Sequence, residues 1–243
     1  MRCHHGPMDI AEILGQVGQR LAPGLVPADG PWILLALGAA ALAVVVPPLW
    51  RLLRPGVTIV HELGHALVGI LMGRRFTGFV VSANMSGHAV TVGPRRGIGR
   101  VLSTWAGYPA PALVGALLVQ IALHGWARTA LFAALCVLVV SLVFTRSGHT
   151  VLAVLASAAG IGTLWWWGSP ALTALLTLAA GVFLLLGAWR HLGSVIRRGG
   201  RQDDPGQLAQ LTPLPAVLWT ASFALVIGLC SWWAGATLVA LLR

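Results

Sequence analysis

Long apolar runs separated by short polar connections dominate this chain and leave no room for a soluble domain of ordinary size. The runs lie at about 32–50, 56–73, 102–124, 128–145, 149–167, 170–189 and 213–241. Each is close to the roughly 20 residues that a helix needs to cross the hydrocarbon core of a bilayer. The pattern predicts an all-α polytopic membrane protein, in contact with a lipid bilayer and with six or seven transmembrane helices.

Composition supports the same class. The 243 residues are 57% hydrophobic and only 9% charged, and the mean hydropathy is +0.84. Residues 8–21 form a short amphipathic stretch, too polar to span and suited to a membrane surface. We therefore expect an N-terminal surface segment at 1–30 and a single transmembrane domain at 31–243.

The net charge of +10 comes from sixteen arginines against six acids, with no lysine. The arginines lie almost wholly between apolar runs, which indicates membrane topology and argues against a nucleic-acid partner. With seven spans, twelve arginines fall on one side of the membrane and four on the other. The first group is Arg2, Arg20, Arg74, Arg75, Arg95, Arg96, Arg100, Arg146, Arg190, Arg197, Arg198 and Arg201, and the second is Arg51, Arg54, Arg128 and Arg243. The positive-inside rule then predicts a cytoplasmic N-terminus, 74–101 segment and 190–212 loop.

The motif His61-Glu62-Leu63-Gly64-His65 lies inside the second apolar run. Residues four apart share a helix face, so both imidazoles can bind one Zn²⁺, with Glu62 beside the open coordination position as general base. The alternative is a set of polar residues satisfied between helices. Two histidines and a carboxylate within five membrane residues favour the metal.

A catalytic zinc site needs a third protein ligand. The thermolysin pattern would require Glu12, which precedes the first span, and the metzincin pattern fails at Val68 and Leu71. Six candidates remain, namely Asp203, Asp204, His88, His124, His149 and His191. An Asp is favoured because a bound dication compensates a carboxylate near the membrane. Its segment must then turn inward, since the histidines lie near mid-helix.

The segment 74–101 does not have a helical pattern. Two β-rich runs flank a turn and predict a hairpin at about 76–93. An exposed strand edge beside the metal can hold an unwound substrate by strand addition, so we expect Val80, Val81, Ser82 and Gly87 to bind substrate. A plain connecting loop is the alternative.

Three motifs in order resemble a known family. The membrane-embedded HELGH motif leads to a Ser86-Gly87 turn, then to Gly107-Tyr-Pro-Ala-Pro-Ala112, and finally to Asp203-Asp-Pro-Gly-Gln-Leu-Ala-Gln-Leu-Thr-Pro-Leu-Pro215. Over about residues 50–220 the chain resembles the site-2-protease class of intramembrane zinc metallopeptidases. The resemblance is closest to a bacterial branch of short, multi-span members.

The resemblance implies one Zn²⁺ held by His61, His65 and Asp204, with Glu62 as catalytic base. It also implies regulated intramembrane proteolysis of a membrane-protein or peptide substrate in the bacterial plasma membrane. Asp203 and Pro205 replace the usual Ser and Ala, so Asp203 stays an alternative ligand. The family's Asn-Pro-x-x-Asp-Gly segment is missing, and Asn84, the only asparagine, lies in the hairpin turn.

Two other functions fit parts of the pattern. A catalytically inactive metal-binding scaffold would keep the ligands without a working substrate clamp. A small-solute transporter would use intramembrane His and Glu as a pathway, but the chain has no internal repeat that such folds favour.

Overall fold

The computed structural model describes residues 10–24, 29–82, 87–198, 200 and 202–242. Its elements, in chain order, are α1 (Ile10–Leu21), α2 (Gly30–Val45), α3 (Pro47–Leu71), β1 (Arg75–Val81), β2 (Gly87–Val92), α4 (Ile98–Trp105), α5 (Pro109–Leu123), α6 (Ala127–Ser141), a 3₁₀ turn (Leu142–Phe144), α7 (Gly148–Trp167), α8 (Pro170–Arg198), α9 (Asp204–Leu211) and α10 (Ala216–Leu242). The predicted all-α polytopic class and its small β-hairpin are confirmed.

Within the described ranges, four segments are long and apolar enough to cross a membrane: α6 with its 3₁₀ turn, α7, α8 and α10. Two bent pairs, α2 with α3 and α4 with α5, raise the number to six if each pair is one span. The expectation of seven separate spans is therefore too high. Its error lies at α2 and α3, whose axes meet at 99°.

This bend has a local cause. Val46 is extended (φ −76°, ψ 114°) and precedes Pro47 and Pro48. Proline disfavours helical backbone at the residue before it, but its fixed φ suits the first turn of a new helix. The apolar run at 32–50 is thus broken in two, and α3 starts in a new direction.

The centre of the bundle is α8, because 61% of its most apolar window is buried against 22% in α6, α7 and α10. Two glycines bring α5 close to it. A Cβ at Gly115 would lie 2.7 Å from the Gly181 carbonyl oxygen, and a Cβ at Gly181 would lie 2.7 Å from that of Gly115. Such small residues are common where membrane helices pack closely. The exposed leucines and valines of α6, α7 and α10 suit contact with lipid.

One end of the bundle, which we call the α1 end, consists of α1 and the α5–α6 and α7–α8 turns. Arg20 Nη1 of α1 donates to the Trp165 carbonyl at 3.1 Å, and Thr129 Oγ1 donates to the Leu21 carbonyl at 2.9 Å. Arg128 Nη2 donates to the Gly168 carbonyl at 2.7 Å. These bonds hold the N-terminal helix against two interhelical turns.

The opposite end, which we call the hairpin end, holds α3, β1, β2, α9 and the C-terminal part of α8. Arg190 of α8 donates to the Val44 carbonyl at the end of α2, and Arg100 of α4 donates to Gln207 of α9 at 3.2 Å. The structure therefore places α1 at the end opposite the hairpin, whereas the prediction assigned the N-terminal segment, 74–101 and 190–212 to one side. The prediction counted α3 as a crossing, whereas α3 begins and ends at the hairpin end.

The arginine bias remains when the described arginines are assigned to the two ends, although three of them change ends. Arg20 lies at the α1 end, and Arg51 and Arg54 lie at the hairpin end. Among described side chains, the α1 end has only Arg20 and Arg128. The hairpin end has Arg51, Arg54, Arg74, Arg75, Arg95, Arg96, Arg100, Arg146, Arg190 and Arg197.

Candidate metal centre

His61 and His65 face each other one helical turn apart on α3. Their Nε2 atoms are 3.1 Å apart, and their ring centroids are 4.7 Å apart. The Nδ1 atom of His65 lies 2.7 Å from the carbonyl oxygen of Ser103 on α4, to which it donates. That bond orients the ring and leaves Nε2 without a proton, as a metal ligand requires.

Asp204 is brought to the histidines by α9, whose first residue it is. Its Oδ2 atom lies 3.3 Å from the Nε2 of His61 and 3.3 Å from that of His65. This buried oxygen has no hydrogen-bond partner among the described residues. Three ligands at about 2.1 Å from a tetrahedral Zn²⁺ would be about 3.4 Å apart, so the donor set and its spacing fit that ion and leave one position open.

The neighbouring Asp203 has a different task. It is the N-cap of α9, where Oδ1 accepts from the Gly206 N–H at 3.0 Å. Its Oδ2 accepts from the Gly200 N–H at 2.7 Å. The structure therefore brings Asp204 and not Asp203 to the histidines. An N-cap carboxylate also begins the helix that carries Asp204.

The segment 190–212, predicted as a loop, is largely helical, because α8 continues to Arg198 and α9 covers Asp204–Leu211. The predicted difference in depth between the histidines and the Asp is absent. Since α3 lies at the hairpin end of the bundle, bent by 99° from α2, its middle is level with α9. No inward excursion of a long loop is needed.

Glu62 is buried beside the cluster, with 3% of its surface exposed. Two glycines make room around it and around the histidines. A Cβ at Gly87 would overlap Glu62 Oε1, and a Cβ at Gly107 would overlap the His65 ring and lie 2.7 Å from His61 Nε2. Backbone thus approaches the centre closely from β2 and from the α4–α5 bend, as only glycine permits. The motif containing Gly107 was a sequence signal for this contact.

A cavity of about 860 Å³ opens onto the cluster. Tyr108 forms part of its wall, with its ring edge-on to His61 at 4.8 Å and stacked on Phe223 at 5.0 Å. Sequence reasoning missed the basic character of the cavity, whose lining includes five arginines from three helices. They are Arg51, Arg54, Arg100, Arg190 and Arg197.

The comparison with protein families agrees with this geometry. The family model for Peptidase M50B-like proteins matches residues 34–234, which include all three clustered residues. The chain belongs to this family. Neither a curated protein nor a solved structure matches it. The predicted relationship to site-2-protease-type metallopeptidases is confirmed, and the apolar helices make the chain an integral membrane member of a peptidase family.

In this M50B-like protein, the remaining candidates for the third ligand lie outside the cluster. His88 and His191 line the cavity but do not belong to the cluster of His61, His65 and Asp204. His124 Nδ1 is 2.7 Å from the Gln120 carbonyl, and His149 Nδ1 is 3.1 Å from the Val81 carbonyl. Ser86 and Asn84 lie outside the described residues.

The strand edge that lines the cavity also differs from the edge predicted to bind substrate. The outer edge of β1 is occupied, since the Phe79 carbonyl accepts from Arg146 N–H at 3.1 Å and the Val81 N–H donates to Thr150 Oγ1 at 2.8 Å. Val80 between them pairs with His88 of β2. Strand addition at Val80 and Val81 is thus excluded in this structure, and neither they nor Ser82 line the cavity. Gly87 does, as do His88 and Ala89 of β2.

Proposed function

We propose that this protein is a zinc-dependent endopeptidase that hydrolyses a peptide bond in or near a substrate transmembrane helix. The observation that carries this proposal is the convergence of two imidazole nitrogens and one carboxylate oxygen within 3.3 Å at a cavity, with a buried glutamate beside them. Membership of a peptidase family supports the reaction class.

His61, His65 and Asp204 would hold the ion. Zn²⁺ in this position supplies Lewis-acid chemistry, which makes a water more acidic and polarises the scissile carbonyl. Glu62 takes the proton of the attacking water as a carbon–oxygen bond forms at the carbonyl. It then gives that proton to the amide nitrogen as the carbon–nitrogen bond breaks, which yields a carboxylic acid and an amine that ionise to carboxylate and ammonium at neutral pH. His65 keeps its orientation through Ser103.

A helical peptide bond is shielded and hydrogen-bonded, so the substrate must be extended where it is cut. The edge of β2 is the part of the hairpin that faces the cavity. Because Val80 and His88 pair, the alternation of an antiparallel ladder turns the backbone groups of Gly87 and Ala89 away from β1. Those groups are suited to hold an added substrate strand beside Glu62.

The positive-inside rule assigns the arginine-rich hairpin end to the cytoplasm and the α1 end to the opposite side. Water and the extended substrate would then enter from the cytoplasm. The resemblance to bacterial site-2-protease-type enzymes supports a plasma-membrane enzyme that releases a cytoplasmic fragment by regulated intramembrane proteolysis.

The test uses the full chain purified without chelators and reconstituted in nanodiscs. Zinc content is measured by plasma mass spectrometry, and new peptide termini are sought by mass spectrometry with a mixture of single-span membrane peptides. Wild type should hold about one Zn²⁺ and cleave peptides. Glu62→Gln should keep the zinc and lose cleavage by about 10²–10⁴-fold.

The exposed Glu12 on α1 offers a matched control, and Glu12→Gln should retain both properties. A wild-type protein that holds zinc and cleaves no peptide would favour the inactive scaffold. A protein without zinc would contradict the proposed centre itself.

A further inference from the structure

The proposed mechanism leaves five cavity arginines without a role. Arg51 and Arg54 belong to the first half of α3, Arg100 to α4, and Arg190 and Arg197 to the end of α8. They surround the space in front of His61, Glu62 and His65.

The contacts of three of these arginines are with neutral groups. Arg51 Nε donates to the Pro47 carbonyl at 3.4 Å, and Arg100 Nη2 donates to Gln207 Oε1 at 3.2 Å. Arg190 donates to the Val44 carbonyl, and its Cζ atom lies 4.5 Å from the centre of the Trp50 ring. These contacts orient three guanidinium groups at the cavity without neutralising their charge.

The carboxylates of the cavity are already engaged. Three line it, and Asp204 and Glu62 belong to the metal centre, while Asp203 caps α9. In the described part of the chain no carboxylate forms an ion pair with Arg51, Arg100, Arg190 or Arg197. Five arginines against three carboxylates give the cavity a surplus of positive charge, which attracts an anionic ligand.

The positive-inside rule explains why these arginines are at the hairpin end, but it is satisfied equally by arginines that face outward. Arg95 and Arg96 at the same end do not line the cavity, whereas Arg51 and Arg197 line it although they are exposed as well. Guanidinium groups at a cavity present a planar donor pair that matches a carboxylate. The ligand that must enter this space for hydrolysis is a polypeptide.

The spacing on α3 indicates where in the ligand the charge would lie. Arg54 and Arg51 precede His61 by seven and ten residues, and both line the same cavity. On a helix these separations correspond to about 10 and 15 Å. An extended peptide covers those distances with about three to five residues.

We propose that the cavity binds an acidic substrate segment, with an Asp or Glu side chain about three to five residues from the cleaved bond held by Arg51 and Arg54. The position of this acidic side chain relative to the cleaved bond rests on the proposed function. The binding it describes needs no hydrolysis, so the two are tested separately.

The test measures binding of fluorescent ten-residue peptides to zinc-loaded Glu62→Gln protein in nanodiscs of neutral phosphatidylcholine. Each peptide consists of Ala and Ser with one Glu, and the position of the Glu differs from peptide to peptide. A control peptide has Gln in place of each Glu. Mass spectrometry of peptides cut by the wild type gives the position relative to the cleaved bond. Glu at the favoured positions should bind about tenfold more tightly than Gln.

Arg51→Gln with Arg54→Gln should reduce that preference to about twofold or less, whereas Arg95→Gln with Arg96→Gln should preserve it. Should the double variant fold poorly, Arg51→Glu alone should favour a Lys peptide over a Glu peptide. Equal binding of Glu and Gln peptides by Glu62→Gln protein would overturn the proposal. So would an equal loss of preference in both pairs of arginine variants, since that shows general attraction without a site.

A second arm distinguishes a peptide carboxylate from a lipid phosphate. The same binding is measured in nanodiscs that contain phosphatidylglycerol, an anionic lipid. Retained preference for the Glu peptide supports a peptide subsite, and its complete loss by competition would assign the arginines to lipid headgroups and overturn the proposal. Absence of cleavage by wild type, with the binding preference intact, would contradict the proposed function alone.

Discussion

The two ends of this bundle treat buried polar groups differently. At the α1 end, Arg20 and Arg128 reach the backbone carbonyls of Trp165 and Gly168, and Arg20 also lies over the Trp166 ring with its Cζ atom 5.0 Å from the ring centre. At the hairpin end, an oxygen of Asp204 is buried without a hydrogen bond, and four arginines face a cavity without a carboxylate partner. At the first end, Arg20 Nη1 and Arg128 Nη2 join elements to each other. At the second, polar groups face space that a ligand can fill.

That difference indicates where chemistry is located. Buried polar atoms without a hydrogen-bond partner occur at both ends, since Arg128 Nε and Trp165 Nε1 are such atoms at the α1 end. Asp204 Oδ2 differs from them because it converges with two imidazole nitrogens at a cavity. The hairpin end is also where α3 departs from α2 at 99°. If this interpretation is right, substitutions at the hairpin end should change metal content and activity, and those at the α1 end should change stability alone.

The largest expected effect is that of Asp204→Ala. It removes one of three converging donors, so zinc content should fall close to zero and cleavage by about a thousandfold or more. Asp203→Ala is the matched control at the adjacent position. It should retain zinc and lose about 1 kcal/mol of stability through the lost N-cap. Metal analysis of both variants checks this, and zinc loss with Asp203→Ala alone would reassign the ligand.

Gly107→Ala should come next. The new methyl group would overlap the His65 ring and approach His61 Nε2, where the metal would be held. We expect zinc affinity to fall by about 10–100-fold, measured by competition with a chelator. Gly160→Ala on α7, where a Cβ would have no atom within 4 Å, is the control and should bind zinc normally. Normal affinity in Gly107→Ala would mean that the backbone beside the centre moves easily.

Gly87→Ala should separate hydrolysis from metal binding. Its Cβ would overlap Glu62 Oε1 and displace the base, while the three donor atoms keep their positions. Cleavage should fall by about a hundredfold through misplacement of Glu62, with zinc content unchanged. A parallel loss of zinc would show that the hairpin supports the metal centre as a whole, which the contacts of β2 with α3 would then have to explain.

The sequence was sufficient where chemistry depends on local spacing. His61, Glu62 and His65 could be grouped because a helix places residues four apart on one face. Asp204 is more than a hundred residues away, so its position had to come from a resemblance to known motifs. Nothing in local pattern could separate its role from that of Asp203 until the N-cap hydrogen bonds were seen.

The orientation of α3 could not be obtained from hydropathy. An apolar run measures affinity for a non-aqueous environment and does not distinguish a helix that crosses from one that lies at one end. Pro47-Pro48 within the first run was the available signal for a break. Counting α3 as a separate crossing placed Arg51 and Arg54 at the end opposite the hairpin and hid the basic cavity.

The choice of strand edge could not be made from the sequence for a related reason. A two-stranded sheet has two outer edges, and the sequence of a hairpin does not say which one a neighbouring helix covers. Thr150, fully buried at the start of α7, accepts from the Val81 N–H and closes the edge of β1. Only the packing of α7 against the hairpin decides that β2 is left to face the cavity.

The smallest expected effect, and the sharpest control on the comparison of the two ends, is Arg20→Ala. It removes the hydrogen bond to Trp165 and the contact with Trp166 that hold α1 to the α7–α8 turn. We expect a loss of about 1–2 kcal/mol, seen as a lower Tm in detergent, because one charge-assisted hydrogen bond and one cation–π contact disappear. Zinc content and cleavage at 25 °C should match wild type.

The exposed Arg95 at the hairpin end provides a control for loss of charge, and Arg95→Ala should leave Tm unchanged. If Arg20→Ala lowered zinc affinity instead, the α1 end would have to be coupled to α3 through α2 and α8, and the division between a structural end and a chemical end would fail.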